Sequence, residues 1–122
     1  MSSHNLRAKD YLLHMIEAAD RILAYAADTE EAGFLSNPML QDAVIRNIEV
    51  IGEAANNLVI SSPDLVQRHP SVPFAQIYAM RNRIAHGYFA VSLRMVWETV
   101  RTDVPQLRER LAQIAAELPD SP

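Results

Sequence analysis

Hydrophobic residues recur every three or four positions in the first part of the chain, which is the spacing of one face of an α-helix. The stripe consists of Leu12, Met15, Ile16, Ala19, Ile22, Leu23 and Ala26. It predicts a first helix from about Asn5 to Asp28. The polar run from Thr29 to Gly33 then predicts a loop.

A second helix is predicted from Pro38 to about Ile60. Asn37 can cap its first turn, and a proline at the first helical position loses nothing by lacking an N–H. Its main apolar stripe is Leu40, Val44, Ile48, Ile51, Ala55 and Leu58. Small residues, among them Gly52, keep parts of this helix slim, so another helix can approach closely.

Three charged residues follow one another at spacings of three and four on this second helix: Arg46, Glu49 and Glu53. That spacing permits ion pairs along one side of a helix. Two interpretations are open at this point. The row is either a solvated face or a set of carboxylates placed near arginines further along the chain.

The remaining helices are marked by start signals. Ser62 followed by Pro63 predicts a short capped helix through Arg68, which the proline-rich residues 69–73 end. A further helix should run from Pro73 to about His86. Ser92 should cap a last helix from Leu93 to about Leu118.

The last helix carries two interleaved seven-residue repeats, which predict a seam for another long helix. The first repeat is Leu93, Val100, Leu107 and Ile114, and the second is Trp97, Val104, Leu111 and Leu118. Pro105 lies inside this helix and should bend or split it near Asp103, because proline breaks the helical hydrogen-bond ladder.

These elements predict an all-α fold, an antiparallel bundle of four to five helices. We expect a single domain over residues 1–122, with a polar tail at 119–122. A bundle this small with so long an apolar seam is expected to leave a patch that a second copy covers, giving a symmetric dimer.

Composition narrows the possible chemistry. The chain has no cysteine, so disulfides and thiolate metal sites are excluded, and its polar N-terminus and the absence of a long apolar run favour a cytoplasmic protein without a membrane anchor. The net charge is −4, but residues 65–101 contain five arginines and only one acidic residue, a local charge of +4. Basic charge is thus concentrated where a phosphate site would need it.

That basic region contains a polar motif between otherwise amphipathic helices, with Arg81, Asn82, Arg83, His86 and Tyr88 within eight residues. On a helix, Asn82 and His86 share a face, whereas Arg81 and His86 are about 140° apart around the axis. Arg81 must therefore reach around the helix or meet a histidine from elsewhere. The macrodipole at the helix C-terminus favours the imidazolium and the arginines oppose it, so the histidine is expected to titrate near neutrality.

An arginine and a histidine together suit the cleavage of RNA. A neutral imidazole can accept the proton of a 2′-hydroxyl that attacks the adjacent phosphate, while guanidinium donors stabilise the charge on the phosphoryl oxygens. Metal catalysis has little support in the sequence, and no cofactor is implied. A two-fold dimer with the motif at its axis would bring two histidines and two sets of arginines together.

The segment from Arg81 to Tyr88 resembles the R-x4-H-x-Y signature of HepT-like proteins in the HEPN superfamily. The resemblance extends to residues 46–54, to Val72-Pro73-Phe74 and to the stretch from Val96 to Pro105, so it covers nearly the whole chain.

The resemblance implies a dimeric, metal-independent ribonuclease toxin. Arg81 and His86 would be catalytic, with Asn82 and Arg83 supporting them. It also implies an MntA-like nucleotidyltransferase antitoxin as partner, which would neutralise the toxin by transferring AMP to Tyr88, within a homodimer or a larger hetero-oligomer.

Two other readings compete with a nuclease. The chain could be an accessory or substrate-binding subunit of a nucleotidyltransferase, in which Arg81 and His86 bind a phosphate without cleaving anything. It could also be a structural bundle, in which Arg81 pairs with Glu49 or Glu53 and His86 caps its helix.

Overall fold

A computed structural model describes residues 3–86 and 92–119, leaving aside the side chains at positions 3–6 and 86. Within these ranges the chain is helical and contains no strand, which confirms the predicted all-α class. The elements are α1 (Ser3–Ala26), α2 (Glu31–Leu35), α3 (Pro38–Ser61), α4 (Pro63–Arg68), α5 (Phe74–His86), α6 (Leu93–Glu98), a π-helical turn (Thr99–Asp103) and α7 (Val104–Glu117).

Two of the three predicted caps are confirmed. The Asn37 side chain accepts a hydrogen bond from the Leu40 N–H at 3.1 Å, and the Ser92 hydroxyl accepts one from the Met95 N–H at 3.3 Å. Ser62 occupies the N-cap position of α4 but its side chain makes no capping bond. The start of α4 therefore relies on Pro63, whose fixed φ suits a first helical position.

The predicted loop at residues 29–33 is wrong in its second half, because α2 begins at Glu31. Phe34 drives this short helix: its ring is fully buried and stacks on Trp97 with 5.1 Å between the ring centroids. The Gln41 side chain also binds the carbonyl groups of Phe34 and Leu35 at the end of α2, at 2.9 and 3.1 Å. These are tertiary contacts, which local turn signals cannot reveal.

The core lies along α3, which packs against both α1 and α5. Helix α1 packs in turn against α7. The residues that fill these contacts are those of the predicted stripes, including the fully buried Leu12, Met15, Ile22, Val44, Leu58 and Leu111. From position 104 onwards the seven-residue repeats of the last helix thus face the long helix α1, as predicted, whereas Trp97, nearer its start, stacks on Phe34 of the short α2.

Polar side chains tie the helices together at the edge of this core. Asn47 is buried and accepts a hydrogen bond from Arg21 Nε at 2.8 Å, which links α3 to α1. Arg108 of α7 donates to Asp20 of α1 at 2.9 Å. The hydrogen bond to Asp20, with the charge of that carboxylate, raises the pKa of the Arg108 guanidinium.

The last helix is interrupted where Pro105 predicted. The Val104 N–H bonds to the Thr99 carbonyl, five residues earlier, which produces the π-helical turn between α6 and α7. Proline has no N–H to continue an ordinary ladder, and a wider turn just before it removes part of that conflict. The two halves keep one buried seam that includes Trp97, Val100, Val104 and Leu111.

Among the described residues, no helix is both long and apolar enough to cross a membrane.

Candidate active site

Arg81 lies on the face of α5 that packs against α3. Its aliphatic stem rests on the buried Gly52: a Cβ added at that glycine would overlap Arg81 Cβ and come within 2.7 Å of Arg81 Cγ. The same added atom would lie 3.4 Å from the Ile77 carbonyl oxygen. The absence of a side chain at position 52 is therefore what allows the two helices to approach at the motif.

Two side chains hold the guanidinium of Arg81. Nη2 donates to Glu53 Oε1 at 2.7 Å, and Nη1 donates to Asn82 Oδ1 at 3.1 Å. The distance to Glu53 is that of a charge-assisted hydrogen bond. The head of Arg81 is thus fixed from two sides, by a residue of α3 and by its own neighbour on α5.

The third nitrogen of the group, Arg81 Nε, is buried and has no hydrogen-bond partner within the described part of the chain. A buried donor without an acceptor costs about 1–3 kcal/mol. Within the described ranges the guanidinium is therefore held through its two Nη atoms alone.

The ion pair shows where one residue in the charged row of α3 lies. Glu53 contacts the motif arginine, as the second interpretation of that row required, and it does so with a half-exposed side chain. Glu49, one turn earlier, makes no ion pair within the described ranges, and Arg46 is exposed. The Arg81–Glu53 contact was also an element of the structural-bundle alternative, so the contact alone does not separate that alternative from a catalytic site.

The other motif residues are placed less completely. Asn82 is half-buried and Arg83 is exposed. His86 is the last residue of α5, so its backbone lies on the same continuous helix as Arg81, about 140° away around the axis. Its side chain, and Tyr88 entirely, lie outside the described residues. The predicted meeting of arginine and histidine therefore remains a prediction.

An apolar groove of about 290 Å³ lies between α3, α5 and the start of α7, and neither Glu53 nor Arg81 lines it. Its floor includes Ile48 and Ile51 of α3, and its walls are α5, through Ile77 and Met80, and the start of α7. Polar side chains at its edge include Asp103 and Arg110. Within the described ranges, no group of three or more histidine, aspartate and glutamate residues is arranged to hold a metal ion.

Sequence reasoning identified Arg81 but gave Gly52 and Glu53 no definite place in the site. The signals were present in the small residue on α3 and in the carboxylate that follows it. The sequence pattern does not determine how α3 is rotated about its axis, and that rotation decides whether position 53 faces solvent or the motif.

The family that the chain matches and its individual relatives are named for the same activity. Residues 15–114 match the family described as "Ribonuclease HepT-like". The chain is 35% identical to a protein of Thermococcus cleftensis named "Probable ribonuclease HepT", over 87% of this chain and 94% of that protein. No solved structure matches the chain significantly.

Two further relatives carry related names. A protein of Caldanaerobacter subterraneus subsp. tengcongensis, named as a "Putative RNase", is 30% identical over 87% of this chain and 92% of its own length. A longer protein of Methanocaldococcus jannaschii, named "Gamma-glutamylcyclotransferase and putative RNase", is 38% identical over 90% of this chain, and the chain spans 48% of it. The match over most of the chain, together with the arginine-containing motif on α5, establishes that this protein belongs to the HepT-like ribonuclease family.

Proposed function

We infer that the protein is a metal-independent endoribonuclease that acts as the toxin of a toxin–antitoxin pair. The observation that carries this proposal is the restrained guanidinium of Arg81 in a chain whose family and relatives are named for ribonuclease activity. A guanidinium held in place before substrate binds can stabilise charge on a phosphate without reorganising during the reaction.

In the proposed reaction, neutral His86 accepts the proton of a ribose 2′-hydroxyl. The 2′-oxygen then attacks the adjacent phosphorus, a bond forms between them, and the bond from phosphorus to the 5′-oxygen of the next nucleotide breaks. Arg81 donates hydrogen bonds to the phosphoryl oxygens as their charge increases. The leaving 5′-oxygen takes a proton from a second acid, and the products are a 2′,3′-cyclic phosphate and a free 5′-hydroxyl.

The second acid is the reason for proposing a homodimer. One chain provides one motif histidine, and that residue lies about 140° around α5 from Arg81. A two-fold axis close to α5 would supply a second imidazole and would bring the histidine of one chain towards the arginine of the other. Asn82 then supports the reaction through its hydrogen bond to Arg81, and the exposed Arg83 attracts the RNA backbone.

The positive charges of Arg81 and Arg83 also suggest how the nuclease would be regulated. We propose that an MntA-like nucleotidyltransferase, acting as the antitoxin in the cytoplasm, transfers AMP to the Tyr88 hydroxyl. Each AMP adds a bulky anion close in sequence to Arg81 and Arg83, where it would occupy the place of the RNA backbone.

The test is an RNA-cleavage assay with chelator present throughout, comparing the unmodified protein with His86→Ala and His69→Ala. We expect a cyclic-phosphate product from the unmodified protein, the same product from His69→Ala, and none from His86→Ala. His69 is a suitable control because it lies outside the motif, near Glu117 at 3.8 Å. No cleavage by the unmodified dimer would point to an accessory subunit, and loss of cleavage on adding chelator would exclude the metal-free mechanism.

A further inference from the structure

We propose that Glu53 is a positioning residue for the reaction: it fixes the orientation of the Arg81 guanidinium and, through its charge, weakens the binding of the RNA phosphate. This inference rests on the proposed function. It concerns a residue of α3, outside the Arg81–Tyr88 motif, that acts on the substrate only through Arg81.

The hydrogen bonds of the Arg81 guanidinium fix its orientation. An arginine has five N–H donors in a planar fork. Glu53 and Asn82 each accept one, at 2.7 and 3.1 Å, and the N–H of Nε is buried without a partner. Two Nη hydrogens are left for an oxygen of the substrate. Because the other bonds lie at fixed places on the fork, they decide the direction in which these two point.

The ion pair between Arg81 and Glu53 lies partly in solvent, which limits its contribution to stability. The Glu53 side chain is 53% exposed and that of Arg81 is 23% exposed. Exposed ion pairs stabilise proteins little, because water competes for both groups. Yet the chain places a glycine at position 52 so that the Arg81 stem can lie against α3, within reach of Glu53. The pair thus stabilises the fold little but requires a glycine at position 52, which suits a role in aligning the Arg81 guanidinium.

The Glu53 carboxylate also has an electrostatic cost for RNA binding. A carboxylate 2.7 Å from Arg81 Nη2 offsets much of the positive charge that an approaching phosphate would encounter. Glu53 should therefore lower the affinity for RNA while it keeps the guanidinium in its productive direction. These two effects can be separated, because an amide keeps the acceptor oxygen and removes the charge.

The experiment compares Glu53→Gln, Glu53→Ala and Glu49→Gln with the unmodified protein. It measures kcat and KM for a single-stranded RNA, and the Kd for the same RNA with 2′-O-methyl groups, which cannot be cleaved. Glu49→Gln is the matched control: it makes the same change in charge on the same helix, at a residue that does not contact Arg81. Circular dichroism and thermal unfolding establish that each variant is folded.

Glu53→Gln should keep kcat within about threefold and bind the uncleavable RNA on the order of fivefold more tightly at 0.1 M salt, because one more phosphate contact releases counterions. The slope of log Kd against log salt should steepen by about 0.7. Glu53→Ala should gain similar affinity but lose about 10- to 100-fold in kcat, since the guanidinium is then free to turn. Glu49→Gln should change each quantity less than twofold.

The inference is overturned if Glu53→Ala cleaves at the unmodified rate, or if Glu53→Gln and Glu49→Gln change affinity equally. Cleavage that depends on His86 but not on Glu53 would leave the proposed function standing and remove this inference alone. Absence of cleavage by the unmodified protein would remove both. Should Glu53→Ala fail to fold, the nearly isosteric Glu53→Gln decides the matter through its affinity and salt slope.

Discussion

Replacing Gly52 by alanine tests whether close helix contact controls the site. The added methyl group would overlap Arg81 Cβ and lie 2.7 Å from Arg81 Cγ. Carbon atoms in contact are normally about 3.5–4.0 Å apart, and Arg81 Cβ is fixed to the backbone, so α5 must move away from α3 by more than about 1 Å. Forcing one methyl group into a packed contact costs about 1–3 kcal/mol, of which the better helix propensity of alanine returns about 0.5–1 kcal/mol.

We therefore expect Gly52→Ala to lower the free energy of unfolding by about 1–2 kcal/mol, measured by urea denaturation. The loss of activity should be larger in proportion. A displacement of about 1 Å in a positioning group can reduce kcat up to about 100-fold. RNA cleavage at a temperature well below the unfolding midpoint separates this effect from a smaller folded fraction.

The control is Gly33→Ala in α2. A Cβ at that exposed position would meet only Thr29 Cγ2, at 3.3 Å. It should leave stability and cleavage unchanged, or raise stability slightly. If Gly52→Ala proved as stable and as active as Gly33→Ala, the reasoning that the narrow contact between α3 and α5 positions Arg81 would be refuted.

Other substitutions test other parts of the molecule. Phe34→Ala removes a fully buried ring that stacks on Trp97, so urea denaturation should show a loss of about 3–5 kcal/mol; a loss below about 1 kcal/mol would mean that α2 is not anchored by this ring. Asp20→Asn keeps an acceptor oxygen but removes the negative charge that helps to raise the pKa of Arg108. A raised guanidinium pKa stabilises the fold below the pKa of the unfolded state, and that contribution is lost only as pH rises past the pKa of the folded state. The difference in the free energy of unfolding between the variant and the unmodified protein should therefore stay constant across the neutral range. A difference that changes with pH there would implicate another titrating group. If the proposed regulation holds, Tyr88→Phe should cleave RNA like the unmodified protein, and incubation with a nucleotidyltransferase of the proposed kind and ATP should add no AMP detectable by mass spectrometry. Modification of the variant would place the acceptor elsewhere.

Much of the fold follows from the sequence because the signals are local. Helix α3 begins at the capped proline and ends within one residue of the predicted position, since a cap and a repeating stripe each act within a few residues. Helix α2 was missed because its formation depends on the burial of Phe34 against Trp97, a residue far along the chain. The position of the interruption before Pro105 was predicted, but the π-helical turn that accommodates the proline was not.

The site was less predictable for a geometric reason. The motif identified Arg81, Asn82 and Arg83, but their partners depend on how two helices are rotated against one another. Glu49 and Glu53 are equivalent in the sequence pattern, and only the packing of α5 on Gly52 distinguishes them. His86 and Tyr88 rest on the motif and on family membership, and their roles remain proposals.

The π-helical turn acts as a one-residue insertion in the last helix. Because this turn holds one residue more than an ordinary helical turn, deleting one residue between positions 99 and 103 should restore regular α-helix there and leave the directions of the side chains beyond it nearly unchanged. The same deletion between positions 106 and 110 removes a residue that the helix cannot spare, so everything beyond it would rotate by about 100° and Leu111 and Ile114 would turn away from α1. A single deletion should therefore be far less harmful in this short stretch than in α7.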